Sequence, residues 1–164
     1  MKVTCYASGV IGTSWATNFA LKGCTVTVYD LNQELLDHAK KLIRSNLLYL
    51  EAEDCLRGES VEAVMERVTF TDDVEAALRE AEFIQESGPE RLAPAACIVA
   101  SSTSGLRISD ITAKSTYPER YIGAHPFNPP HLIPLVELTK GDQTSPETVN
   151  RALGFYRLMG KEPI

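Results

Sequence analysis

The stretch YASGVIGTSWA, residues 6–16, follows the short apolar run Val3-Thr4-Cys5. Gly9 and Gly12 stand in the spacing of a dinucleotide-binding turn, but Ala7 replaces the first glycine of the usual G-x-G-x-x-G. Gly9 has no Cβ, so backbone there can come close to a pyrophosphate, and Gly12 lets the following helix pack tightly on the strand. The helix N-terminus adds unpaired N–H groups and the positive end of its dipole. Gly9, Val10, Ile11 and Gly12 form the expected phosphate cradle. Ala7 leaves two outcomes open. If its φ is negative, one extra methyl is harmless; if φ must be positive, the turn is strained.

Outward from the turn, residues 25–29 (Thr-Val-Thr-Val-Tyr) are β-branched and close on Asp30, 18 positions past Gly12. A carboxylate there can hold both hydroxyls of an adenosine ribose and would repel a 2′-phosphate. No arginine follows in Leu31-Asn32-Gln33, so NAD is favoured over NADP. A bare G-x-x-G is weak and could be only a strand–helix turn. The order strand, turn, helix, second strand, terminal Asp carries the cofactor reading.

The remaining pattern alternates. Residues 2–6 read as a strand and 13–21 as a helix that Gly23 ends. Asn32 is an N-cap for a long helix with Leu35, Leu36, Ala39, Leu42, Ile43, Leu47 and Leu50 at helical spacing. Ser60 caps a shorter helix over 61–67, 68–70 is a strand, and a helix from Asp72-Asp73 reaches Ala81. Strands follow at 83–85, 97–100 and 121–124, with a further extended segment over 134–138. Ser145-Pro146-Glu147 opens a helix to about Met159. A last strand begins at Pro163-Ile164. This order predicts an α/β, Rossmann-type doubly wound fold: a mostly parallel sheet with helices on both faces.

One interval is short. Parallel neighbours need a crossover of about a dozen or more residues, usually helical. Between Gln85 and Cys97 stand only residues 86–96, with Pro89 and Pro94 among them. Either the two strands are not adjacent, or residues are absent from the numbered chain.

Composition sets outer limits. The 164 residues suffice for one domain, and 44% apolar with 23% charged residues is ordinary for a globule. A net charge of −6 argues against a nucleic-acid partner. No apolar run approaches the about 20 residues of a membrane span, and no signal peptide is evident. Cys5, Cys24, Cys55 and Cys97 are scattered, with no C-x-x-C pair, as expected for reduced thiols in a cytoplasm-like compartment.

Three segments could carry chemistry: SSTSG (101–105), GAHPFNPP (123–130) and LVEL (135–138). Taken singly, each has a plainer reading: a polar turn, a loop histidine before proline, a strand glutamate facing solvent. Together with GVIGTSWA, FIQESGPERL, PERYIGAHPFNPP and LIPLVEL, in order over nearly the whole chain, they resemble the 3-hydroxyacyl-CoA dehydrogenase family. Ser102 and Pro126 are more similar to its branch of L-carnitine dehydrogenase and the gulonate dehydrogenase/λ-crystallin group, which take small polar 3-hydroxy acids.

The resemblance implies oxidation of an L-3-hydroxy acid or L-3-hydroxyacyl-CoA by hydride transfer to NAD. His125 is then the general base. A buried Glu137 orients its imidazole, Ser104 hydrogen-bonds the reacting oxygen, and Glu90 and Asn128 contact the nicotinamide end of the cofactor. His131 and His125 have no third ligand at a usual spacing, so no metal is expected. A catalytically silent NAD-binding protein, crystallin-like, is the alternative of another class. The chain departs from the family in lacking a lysine-bearing helix after Leu92, which suggests a segment missing between residues 92 and 93. It also ends where relatives continue into a helical domain that closes the cleft and forms most of a homodimer contact. The expectation is one NAD-binding domain over 1–164 with that C-terminal domain absent.

Overall fold

The computed structural model describes residues 1–85 and 94–164. The first strand, β1 (Lys2–Tyr6), leads into α1 (Val10–Leu21), which begins earlier than its apolar pattern alone suggests and takes Val10 and Ile11 into its first turn. Then come β2 (Thr25–Tyr29) and α2 (Gln33–Ala52). The Asn32 side chain accepts the Leu35 N–H at 3.0 Å, and Leu36, Ala39, Ile43, Leu47 and Leu50 form the buried stripe of α2.

Two short helices flank the next strand: α3 (Val61–Met65), β3 (Val68–Thr71) and α4 (Val74–Leu78). Both helices stop short of the predicted Arg67 and Ala81, because the chain must turn into β3 and into β4 (Phe83–Gln85). Then follow β5 (Ile98–Ser101), α5 (Ile108–Ile111), β6 (Tyr121–Pro126), β7 (Leu135–Thr139), α6 (Pro146–Leu158) and β8 (Glu162–Pro163). No helix among the described residues is long and apolar enough to cross a membrane.

The strands form one sheet in the order β3-β2-β1-β4-β5-β6-β7-β8. The first six are parallel; β7 pairs antiparallel with β6, and β8 runs parallel to β7. β4 and β5 are adjacent, with Phe83 opposite Ile98 and Ile84 opposite Val99, so the short interval joins true neighbours.

Strand alternation divides the apolar residues between two faces. Val3, Cys5, Phe83, Ile98, Ala100 and Ile122 pack with α1, α2 and α6. Ile84, Val99 and Tyr121 pack with Ala77 and Leu78 of α4 and Ile108 of α5. Trp15 and Phe19 are fully buried and stack at 5.1 Å, and Phe83 meets Phe155 at 3.9 Å. Burial of each such ring is worth about 1.5–3 kcal/mol. The sheet order reverses direction between β1 and β4. The glycine turn leaves the carboxyl end of β1 and His125 lies near that of β6, the edge where open α/β sheets bind ligands.

Candidate active site

Ala7 has φ +80°, so the second of its two outcomes holds: the turn is strained at an alanine. Left-handed backbone costs an L-residue roughly 1–2 kcal/mol. The sharp turn brings the Ala7 carbonyl against α1. A Cβ on Gly12 would lie 2.0 Å from that oxygen, so only glycine fits. Nothing lies within 4 Å of a Cβ on Gly9, which leaves open space above bare backbone. Gly9 caps α1 with no side-chain hydrogen bond. The first-turn N–H groups of α1 therefore keep capacity for an anion.

Asp30 closes β2 beside this turn. Its Oδ2 accepts the Ser8 N–H at 2.7 Å and the Ser8 hydroxyl at 2.6 Å, and Oδ1 accepts the Leu31 N–H at 2.8 Å. Burial alone would raise its pKa; the bonds from Ser8 and Leu31 outweigh it and hold the carboxyl below the usual carboxylate range. A carboxylate has about four lone-pair sites, so one on Oδ1 remains: Asp30 has room for one ribose hydroxyl, not the two expected, because Ser8 and Leu31 take the other sites. Ser8 is only 3% exposed, and nothing in the motif marked it beyond a hydroxyl between Ala7 and Gly9. The bare glycine, the uncapped helix and the spare acceptor fit a dinucleotide.

The second group lies across the sheet. His125 belongs to β6 itself, where the predicted strand stopped at Ala124. It sits directly opposite Glu137 of antiparallel β7, which puts both side chains on one face. His125 Nδ1 is 3.2 Å from Glu137 Oε2. A carboxylate only accepts, so Nδ1–H donates; in the neutral ring that leaves Nε2 as the nitrogen free to take a proton. Gly123, opposite Thr139, leaves room for that side chain: a Cβ there would come within 2.1 Å of Thr139 Oγ1. Glu137 is not the buried acid expected. Its side chain is 48% exposed and that of His125 38%: β7 lies near the sheet edge, and α5, whose Ile108 packs at Gly123, leaves a cavity over this pair.

Ser104 lies in the turn after β5, shaped by Thr103, whose hydroxyl accepts the N–H groups of Gly105 and Leu106 at 3.4 and 3.1 Å. The turn is tethered from below. The Tyr156 hydroxyl donates to Gln85 Oε1 at 2.6 Å, and Gln85 Nε2 donates to Ser102 at 3.0 Å. Gln85 is wholly buried; its one sequence signal is a polar residue closing the apolar run Phe83-Ile84. Ser104, His125 and Glu137 line one cavity of about 400 Å3, with Arg107 and Lys140 on its wall. Gly9, Gly12, Asp30 and Asn128 do not line it. Asn128 is exposed in the loop after β6, and Glu90 lies outside the described residues.

The family described as "3-hydroxyacyl-CoA dehydrogenase, NAD binding domain" matches residues 2–164. L-carnitine dehydrogenase of Streptomyces griseus is 37% identical over 99% of this chain and 51% of its own length. The Bacillus cereus protein of the same name is 37% identical over 99% of the chain and 53% of its own length. The chain thus spans about half the length of the curated relatives it matches. A crystal structure of 3-hydroxybutyryl-CoA dehydrogenase from Escherichia coli K12 superposes with a TM-score of 0.92 at 28% identity, covering 100% of this chain and 37% of that one. Asp30 beside an uncapped, glycine-led helix is what an NAD-binding domain needs, and by this match over nearly its whole length the chain belongs to the 3-hydroxyacyl-CoA dehydrogenase family as its NAD-binding domain.

Proposed function

We propose that this chain is the cofactor half of an NAD-dependent dehydrogenase that oxidises an L-3-hydroxy acid, L-carnitine or L-gulonate before a CoA thioester, to the 3-oxo acid. The observation that carries the reading is the His125–Glu137 contact at 3.2 Å in the cavity that also holds Ser104. The glycine turn, Asp30 and this cavity would hold NAD, which would supply the hydride acceptor. His125 Nε2 takes the hydroxyl proton while Glu137 holds the ring and stabilises the imidazolium. Ser104 hydrogen-bonds the reacting oxygen. Asn128, exposed in the loop after β6, is the residue we assign to the nicotinamide end.

The relatives are named L-carnitine dehydrogenase, which favours a small polar acid. The Streptomyces griseus alignment runs over 176 positions against the 164 of this chain, so that relative carries at least 12 with no counterpart here. This supports residues missing from the numbered chain, which the short interval between Gln85 and Cys97 leads us to place after Leu92. The exposure of His125 and Glu137 supports a cover supplied by a helical C-terminal domain, through which the protein forms a homodimer. The buried thiols of Cys24 and Cys97 support a reducing, cytoplasmic setting.

The test is NADH formation by the full-length protein with L-carnitine, L-gulonate and 3-hydroxybutyryl-CoA. The His125→Asn variant should lose about 10²–10⁴-fold in turnover, as removal of a general base does, with NAD affinity unchanged. No NADH from any of the three substrates, or full turnover in His125→Asn, contradicts the reading and leaves a silent NAD-binding protein.

A further inference from the structure

A second cavity, also of about 400 Å3, is lined by neither the glycine turn nor the His125 group. It lies where the C-terminal end of α1, the loop after α2, the 131–134 loop and the turn from α6 into β8 meet. Its walls carry Lys22, Arg57, Lys161 and His131, with Asp54 as the lining acid. In a chain of net charge −6 this is a local reversal of sign.

Lys161 is 5% exposed. Its ammonium donates to the carbonyls of Pro130 and, at 3.1 Å, Ile133, and lies 5.6 Å from the centroid of the Trp15 ring. Those partners are dipoles and a ring face, not a carboxylate. The Lys22 ammonium lies 2.8 Å from where a Cβ on Gly160 would stand, so it sits next to Lys161 in the chain. The carbonyls of Asn18, Phe19 and Ala20 at the end of α1 accept the N–H groups of Lys22, Gly23 and Cys24.

The cations act on each other. Burial and then Arg57 lower the pKa of Lys22; burial and then Lys22 bring Lys161 down to about 8; burial and then Lys161 lower His131. Arg57 is presented by a loop with φ +55° at Asp54 and +57° at Arg57, each costing roughly 1 kcal/mol or more for a non-glycine residue. Strain and like-charge repulsion are therefore built around a hollow whose size falls in the about 300–1,000 Å3 of small-ligand sites.

We infer that this cavity binds a phosphate-type oxyanion, as the free ion or as the head of a small organic phosphate, through Lys22, Arg57 and Lys161. A dianion among three cations relieves their repulsion and satisfies the ammonium of Lys161 with a true counter-charge. The inference does not rest on the proposed dehydrogenase activity.

The test is calorimetric titration of the full chain with inorganic phosphate and with glycerol 3-phosphate, at ionic strength matched with chloride, with and without saturating NAD. One phosphate group per chain is expected, with affinity unaffected by NAD. Arg57→Gln and Lys22→Gln should each weaken it tenfold or more, at positions exposed enough to keep the fold. The tighter of the two probes identifies the free ion or the ester as the natural class. No saturable binding over the chloride control, competition with NAD, or unchanged affinity in both variants overturns the inference.

Discussion

At the glycine turn, Asp30 is held by three hydrogen bonds of 2.6–2.8 Å, and the Ser8 that supplies two of them is buried. At the other end of the candidate site, His125 has a 3.2 Å contact to Glu137, and both side chains stand more than a third exposed. The two regions share one sheet edge and differ in closure. The turn is assembled from consecutive residues of β1 and α1 with the end of β2, so its geometry is complete within this chain. The His125 pair is assembled across the β6–β7 hairpin near the sheet edge and is left open on one face. Water competes with every charge interaction there. One region is closed by its own hydrogen bonds; the other stands open to solvent.

The sharpest way to break this contrast is Gly12→Val. The first added carbon would lie 2.0 Å from the Ala7 carbonyl, and backbone cannot yield as a flexible side chain does. A loss of about 3 kcal/mol or more in denaturant unfolding is expected, with loss of NAD binding. A comparable insertion at the open end should cost far less.

Asp30→Asn comes next. One amide oxygen cannot serve both Ser8 and Leu31, and its NH2 faces a donor. NAD affinity should fall about 10–100-fold, equivalent to roughly 1.4–2.8 kcal/mol. The pH dependence has a definite sign. The folded carboxyl lies below its unfolded value, so its stabilisation is present above an unfolded pKa of about 3.9 and is lost as pH falls through the lower folded value. Thermal melts of the wild type and Asp30→Asn should keep a constant gap from neutral pH to about 5 and converge below about 4. A gap that widens on acidification contradicts the assignment.

Glu137→Gln probes the open end alone. Its exposed side chain predicts a stability change within about 0.5 kcal/mol. The full-length enzyme should lose about tenfold or more in turnover, in the range of general-base support, with NAD affinity unchanged. The smallest effect is Ala7→Gly. Relief of the φ +80° alanine is partly offset by the freer unfolded chain, which leaves a gain of about 0.5 kcal/mol in urea unfolding.

The same contrast governs what could be read from the residues alone. The turn is local, so Gly9, Gly12 and Asp30 carry their geometry in their spacing. The long amphipathic stripe of α2 and the Ser145 cap were legible for the same reason. Ala7 was legible only as two alternatives, because φ is set by how far β1 must turn into α1. The placement of His125 opposite Glu137 depends on β7 running antiparallel and on its register, which no single segment encodes. Exposure of Glu137 was legible only as one of two readings: alternation in LVEL allows a glutamate facing solvent, the resemblance implied a buried one, and what packs on that face decides. The Tyr156–Gln85–Ser102 chain joins residues 71 and 17 positions apart, beyond the reach of any local pattern.

The central claim is that one NAD molecule links the two regions, with its adenosine ribose on Asp30 and its nicotinamide in the cavity of Ser104 and His125. A crystal structure of the protein with NAD tests it directly. The account predicts the pyrophosphate over Gly9 and the α1 N-terminus, and the nicotinamide ring facing His125 Nε2. A nicotinamide bound outside that cavity, with His125 turned to solvent, would contradict it.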